Sequence, residues 1–301
     1  MTIHKQLIGL SLLVLVGCQS ISETPVDQST STDTFDPFVS VQDYTGEGYT
    51  LDGGKETQPI ADENLKKIEE TVKRFFVEEY KTEVIVHNVV GALNAATVFV
   101  ESVGEPHFYT YAVVPIDVEH LKVQSEEVYS QNDTVENAIR TGIYGMAYDK
   151  EFTELNDFIQ EVAPELGVAG ITEEALANVK GNGYSTSFMY TSMGDFALEG
   201  LNEKYLENPS FKASEWISFL EENKVNSEGV LITIQLFMED ETAKPNEDAL
   251  ESIVTYIEQS DDLPVGLYSV YINDNKINKR TANGNDEHQI KRAHPYDIRK
   301  E

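Results

Sequence analysis

The sequence contains a single cysteine, Cys18, and nothing else narrows the possible folds as much. No disulfide can staple the chain, and no zinc site can be built on several thiolates. A fold of this sequence must therefore be held by a packed apolar core. Hydrophobic residues make up 40% of the chain and aromatic residues 10%, enough to supply one. The position of Cys18 matters as much as its number. Met1 to Gln6 is polar and carries Lys5, and Leu7 to Val16 is almost wholly apolar. A run of about ten apolar residues suits the hydrophobic region of a signal peptide, whereas a membrane-spanning helix needs ~20.

The run ends in Leu15-Val16-Gly17-Cys18. Small residues before a cut let an extended chain enter a signal-peptidase groove, and here the next residue is the cysteine. The segment resembles the lipobox of bacterial lipoproteins. That resemblance implies cleavage between Gly17 and Cys18 and a diacylglycerol thioether on Cys18, often with acylation of the freed amine. Two or more acyl chains give a stable anchor at ~0.8 kcal/mol per buried CH₂, where one chain binds only marginally. An ordinary secretory signal with a chance cysteine is the plainer alternative, but it leaves the placement of the only cysteine unexplained. Residues 1–17 are thus expected to be a lipoprotein signal peptide. Residues 18–37 would be the lipidated cysteine and a flexible tether, rich in Ser, Thr and Asp and too polar to bury itself. Its ~19 residues would span about 25 Å as a coil, on the outer face of the cell membrane.

The formal net charge is −31, from 53 acidic and 22 basic side chains. Such a polyanion repels nucleic acid, which is excluded as a partner. Such charge favours solubility, a cationic partner or metal cations, and the plainer explanation is a solvated acidic surface. The charge is uneven: residues 276–301 hold seven basic and four acidic side chains. This segment is expected to be a loosely ordered basic tail on an acidic body, able to touch anionic envelope material and removable without harm to the core.

Between these ends, helical and strand periodicities alternate. Leu65, Ile68, Val72, Phe75, Phe76 and Tyr80 recur at steps of three and four, predicting a helix over 59–80. Runs rich in Val, Ile, Phe and Tyr over 83–90, 96–103 and 107–115, separated by Gly-containing turns, predict an antiparallel meander. Helices are predicted over 135–148 and 152–162, the second ended by Pro164, and over 172–180 with Thr172 as N-cap. The last third reads as helix 213–223, strand 230–238, helix 246–259 and strand 266–272. The expected class is α+β, an antiparallel sheet with packed helices over residues 38–275, as one large domain or two lobes.

Motifs for chemistry are scarce. No zinc-protease helix, dinucleotide loop, phosphate-binding loop or nucleophile elbow occurs, and no cofactor is implied. His87 and His107 fall in neighbouring predicted strands and could converge on a metal, though histidines satisfied within a sheet are commoner. Asn273-Asp274-Asn275 and the segment 283–286 echo calcium loops but lack the carboxylate ladder and closing Glu. Acidic pairs such as Glu126-Glu127 and Asp261-Asp262 arise readily in so acidic a chain. The aromatic stretches 108–111 and 184–190 suit a sugar or peptide, but aromatic strand faces are more often core.

The segment VSVQDYTGEGY at 39–49, followed by the helix and strands up to Pro115, is similar to a family of uncharacterised Gram-positive lipoproteins. These share the lipobox, the polar tether and the Val-Gln-Asp-Tyr-Thr-Gly start, over nearly the whole mature chain. The resemblance implies a location and no activity, and no functional residue beyond Cys18 carries over. The expectation is a membrane-anchored extracytoplasmic lipoprotein that binds a ligand, a protein or an envelope component without catalysis. A hydrolase using dispersed carboxylates, or the solute receptor of a transporter, are the alternatives.

Overall fold

A computed structural model of the chain describes residues 36–181 and 183–301. The expected signal peptide, the expected tether up to residue 35, and with them Gly17 and Cys18, lie outside the described residues. In chain order the elements are β1 (Phe38–Ser40), α1 (Gly54–Glu63), α2 (Leu65–Tyr80), β2 (Val84–Ala92), β3 (Ala95–Ser102), β4 (Tyr109–Asp117), β5 (Lys122–Val123), α3 (Thr134–Ala147), α4 (Asp149–Leu166), β6 (Val168–Ala169), α5 (Glu173–Val179), β7 (Met189–Met193), α6 (Leu201–Glu207), α7 (Ala213–Asn223), β8 (Val230–Met238), α8 (Glu247–Gln259), β9 (Gly266–Asn273), β10 (Lys276–Asn278), β11 (Asn283–Gly284), β12 (Gln289–Arg292) and β13 (Ile298–Lys300). This is an α+β fold.

The first sheet is the expected meander, β2-β3-β4-β5, antiparallel throughout. Its tight β2–β3 turn uses Asn94 at φ 53°, a conformation Asn tolerates well. The second sheet is built on β8 and β9, which run parallel and are joined by α8. Val230, Ile232, Ile234 and Leu236 on β8, with Tyr268, Val270 and Ile272 on β9, are fully buried, the period of two expected of strands. Two short strands line each outer edge of this pair. β6 and β7 lie along β8, and β12 and β13 lie along β9, all antiparallel. A third, small sheet orders β1-β10-β11. Helix α3 touches β4 of the first sheet and β7 of the second. One apolar cluster, including Phe76, Val98, Ile139, Trp216 and Ile234, runs through both sheets. Residues 36–301 make one compact unit.

Three expectations are corrected. Residues 276–301 are not a loose tail: β10 pairs with β1, and β12 and β13 cover β9, with Ile277 and Ile298 buried. The helix predicted over 59–80 is two helices. It starts at Gly54 and breaks at Asn64, whose side-chain amide donates to the Ile60 carbonyl at 2.8 Å. Pro164 does not end α4. The helix continues to Leu166 and stops at Gly167, which takes the left-handed conformation at φ 62°.

Candidate functional site

Alternation along β3 sets up two different sheet faces. Val98 and Val100 point into the main core, while Thr97, Phe99 and Glu101 occupy the other face. Opposite them on β4 stand Val113, Tyr111 and Tyr109. Helix α5 covers the Glu101 end of this face, packing Leu176 and Val179 in a second cluster with Tyr109. The Thr172 hydroxyl caps α5 by accepting from the Ala175 N–H at 3.1 Å. Asn178 holds the helix in place, its amide donating to Thr45 O and its carbonyl accepting from Asn88, both at 2.9 Å.

The Thr97 end is left open. It forms a hollow of about 380 Å³ walled by Tyr49, Phe99, Tyr111 and Tyr129, with exposed Asp52 and Gln131 beside them. The rings support one another: Tyr49 meets Phe99 edge-on at 5.6 Å, and Phe99 lies 5.9 Å from Tyr111. Tyr129 is fixed by exchanging backbone hydrogen bonds with Val113 at 2.8 and 3.1 Å. A second hollow of about 460 Å³ shares Tyr111 and Gly181 with the first and adds Asp133, Asn137, Tyr190 and Ser192. The two are neighbours, with Tyr111 and Gly181 as their common wall, and together make the groove. Gly181 is required in this wall, because a Cβ there would stand 2.6 Å from the Tyr111 ring.

The polar groups of the groove are held from beneath. Asn137 Oδ1 accepts from the Met193 N–H at 2.8 Å and from the Ser192 hydroxyl at 3.2 Å. Asp133 is gripped by the guanidinium of Arg140, whose side chain is only 1% exposed and donates to Asp133 Oδ1 at 3.0 Å and to Met193 O at 2.7 Å. Tyr111 donates to Gln131 Oε1 at 3.4 Å. Burial raises the Tyr49 hydroxyl above its ordinary value, with the neighbouring Tyr111 adding to the effect. Tyr49 therefore stays a neutral donor across the physiological range. Among the described residues lining the groove, Asp52 and Asp133 are charged and no lysine or arginine is present.

His87 and His107 do converge, on a carboxylate. His87 is the extra residue of a β-bulge between Val86 and Asn88, which re-aims its side chain. Its Nε2 lies 2.7 Å from Glu101 Oε2, and His107 Nε2 lies 2.8 Å from Glu101 Oε1. Partial burial alone would raise the Glu101 carboxyl, but hydrogen bonds from His107 and His87, with their charges, outweigh it and hold the group below its ordinary value. Each imidazole takes a different oxygen. Among the described residues, no group of three His, Cys, Asp or Glu side chains is placed to hold a metal ion. His120, His288 and His294 each meet a nearby aspartate: Asp117, Asp274 and Asp297.

Asn273 and Asn275 are structural. Both are buried, and their amides donate to Leu236 O at 3.0 Å and Met238 O at 2.9 Å, tying the β9–β10 corner to β8. Glu126 faces Arg74 at 3.5 Å, and Asp261 and Asp262 sit exposed in a turn. Each aromatic stretch gives one ring to the groove, Tyr111 and Tyr190, while Phe108 and Tyr184 pack inside. The sequence reading missed Tyr49, Phe99 and Tyr129. The available signal was the polar Thr97 and Glu101 alternating through an otherwise apolar strand, which marks their face as distinct from the main core.

Residues 31–300 match the profile of a family described as a protein of unknown function, DUF1672. The chain belongs to this family. The fold is also similar to the crystal structure of a DUF1672 family protein from Staphylococcus aureus subsp. aureus Mu50. The TM-score is 0.69 at 16% identity, over 85% of this chain and 97% of that one. At that identity the likeness establishes the fold alone. No curated protein matches the chain. Among the described residues of this DUF1672 member, no helix is long and apolar enough to cross a membrane.

Proposed function

We propose that this DUF1672 member is a binding protein, held by lipid on Cys18 at the outer face of the cell membrane, whose ligand lies in the groove at Tyr111. The observation that carries the binding half is the groove itself: partly exposed tyrosines supported by further rings, with side-chain hydrogen-bonding groups fixed between them. The motif at Leu15 to Cys18 supports the anchor. The hydrolase alternative gains little. Glu101, Asp117 and Asp240, the carboxyls whose ionisation the fold shifts, all move down, away from what a general acid needs.

Two measurements test the halves separately. Metabolic labelling with a fatty-acid analogue should mark the wild-type chain and not Cys18→Ala; label on the alanine variant overturns the anchor. Hydrogen exchange of the purified lipoprotein, with and without solubilised envelope fragments, should slow around Tyr111 and Tyr129 in the wild type and not in Tyr111→Ala. Slowing confined to another surface overturns the groove as the binding site.

A further inference from the structure

Resting on that reading of the groove, we infer that its ligand is an uncharged oligosaccharide chain. Three observations converge. The first is the pairing of flat rings with planar polar side chains. Tyr49, Tyr111, Tyr129 and Tyr190 are partly or largely exposed, and Asp52, Gln131 and Asn137 lie among them. A pyranose ring is apolar on the face that carries its C–H bonds and ringed by hydroxyls at its edge. It lies flat on an aromatic ring and offers paired hydroxyls to carboxylate and amide groups, which is the chemistry displayed here. The two hollows, about 380 and 460 Å³, neighbour each other with Tyr111 in their common wall, which offers a chain of several rings two adjacent places.

The second observation is charge. Asp52 and Asp133 are the charged residues lining the groove, with no cation facing them from the lining. The Arg140 guanidinium beneath Asp133 is buried and already held by that carboxylate. An anionic chain, whether phosphate, sulfate or uronate, would meet repulsion and no counter-charge. The third observation weighs against an extended peptide. Peptides laid along sheets take their main-chain bonds from a free strand edge. Here the outer edge of β4 is occupied on both sides of Tyr111: Tyr109 exchanges bonds with Gly183 at 3.0 and 2.8 Å, and Val113 does so with Tyr129. Among the described residues, this edge of β4 keeps no stretch long enough to accept an added strand.

The test uses the lipidated full chain in a detergent without a sugar headgroup. The probes are cellotetraose, maltotetraose and tetra-N-acetylchitotetraose as neutral chains, a galacturonate tetramer as an anionic chain, and an uncharged hexapeptide. Binding is read by calorimetry and by saturation transfer from protein to probe. At least one neutral chain should bind. Tyr111→Ala should weaken it about tenfold and Tyr129→Ala about fivefold, with Tyr111→Phe close to wild type and unchanged melting in all three. Galacturonate binding as tightly as the neutral chains overturns the inference. So does a neutral chain whose affinity is indifferent to Tyr111→Ala. If the hexapeptide binds in a Tyr111-dependent way and no sugar does, the sugar class is wrong and the groove remains a binding site. If no probe binds at millimolar concentration, the inference fails, while the exchange experiment with envelope fragments still decides the groove.

Discussion

Arg140 is among the largest fully buried side chains, and it is charged. Its guanidinium is matched on one side by Asp133, on another by the Met193 carbonyl, and more distantly by Asp195 at 3.9 Å. Breaking a buried pair by removing one partner typically costs ~3–5 kcal/mol, because the other charge is left uncompensated. Asp133 is half-exposed and Asp195 remains nearby, so Asp133→Ala is expected to cost less, about 2–3 kcal/mol, but clearly more than the ~0–1 kcal/mol of a surface pair. Urea titration checks it, and a loss no larger than that of a surface pair would show that Asp133 does not stabilise the buried cation. Glu101 makes a different prediction. Its carboxyl sits below the ordinary value of 4.5, because the hydrogen bonds from His107 and His87 more than offset its partial burial. A depressed carboxyl contributes stability that is fully present above the unfolded-state value and is lost as pH falls through the folded-state value. The stability gap between wild type and Glu101→Gln should therefore be constant above about pH 5 and shrink as pH falls below the ordinary carboxylate value. Melting temperatures of both proteins from pH 3 to 6 would show it, and a gap that widens toward acid would refute the assignment.

The C-terminal strands carry the clearest lesson at the level of elements. β12 and β13 have four and three residues, too short for alternation to be visible, and both fold back onto β9 across turns. Charge dominated the sequence there, so 276–301 read as a tail. The structure instead places Ile298 against β9 in the main core, and Ile298→Ala should cost about 2–3 kcal/mol by urea titration. Deleting 276–301 strips the outer edge of β9 and the partner of β1, so the truncated chain is expected to be insoluble or to melt without a cooperative transition; a normal melt would restore the tail. Several long elements agree closely between sequence and structure, although the two longest helices, α2 and α4, differ in their bounds. Strand 230–238 and helix 213–223 match residue for residue, and the meander differs only at its ends. Thr172 and Asn246 cap helices as their chemistry dictates. The groove was half legible. Tyr111 and Tyr190 stood out as aromatic, but their meeting with Tyr49 and Tyr129 depends on contacts between distant segments that no local pattern encodes. Gly181 is the element-level test of that meeting: Gly181→Val should push the Tyr111 ring aside and weaken groove binding while changing melting by little, since residue 181 lies outside helix and strand.

For the whole molecule the deciding quantity is the ratio of 53 acidic to 22 basic side chains. Salt acts on two opposing forces. It weakens attractive pairs such as Arg299–Glu228 at 2.9 Å and Lys276–Glu241 at 2.6 Å, and it weakens repulsion among the surplus carboxylates. The pairs are exposed or nearly so, and surface pairs of this kind contribute little. The repulsion is a sum over many like charges spread across one body, and a net charge of −31 destabilises a compact state through that sum. Repulsion therefore outweighs attraction, and salt should stabilise the protein. Lowering the screening length from ~30 Å at 0.01 M to ~8 Å at 0.15 M removes most of the long-range repulsion while leaving close pairs partly intact. Raising sodium chloride over this range should raise the melting temperature, at about 2–4 °C per kcal/mol gained for a chain of this size, with little further change up to 0.5 M. Calorimetry at fixed pH measures this, and a melting temperature that falls with salt would mean that the exposed ion pairs along β10 and β13 outweigh the repulsion of the body.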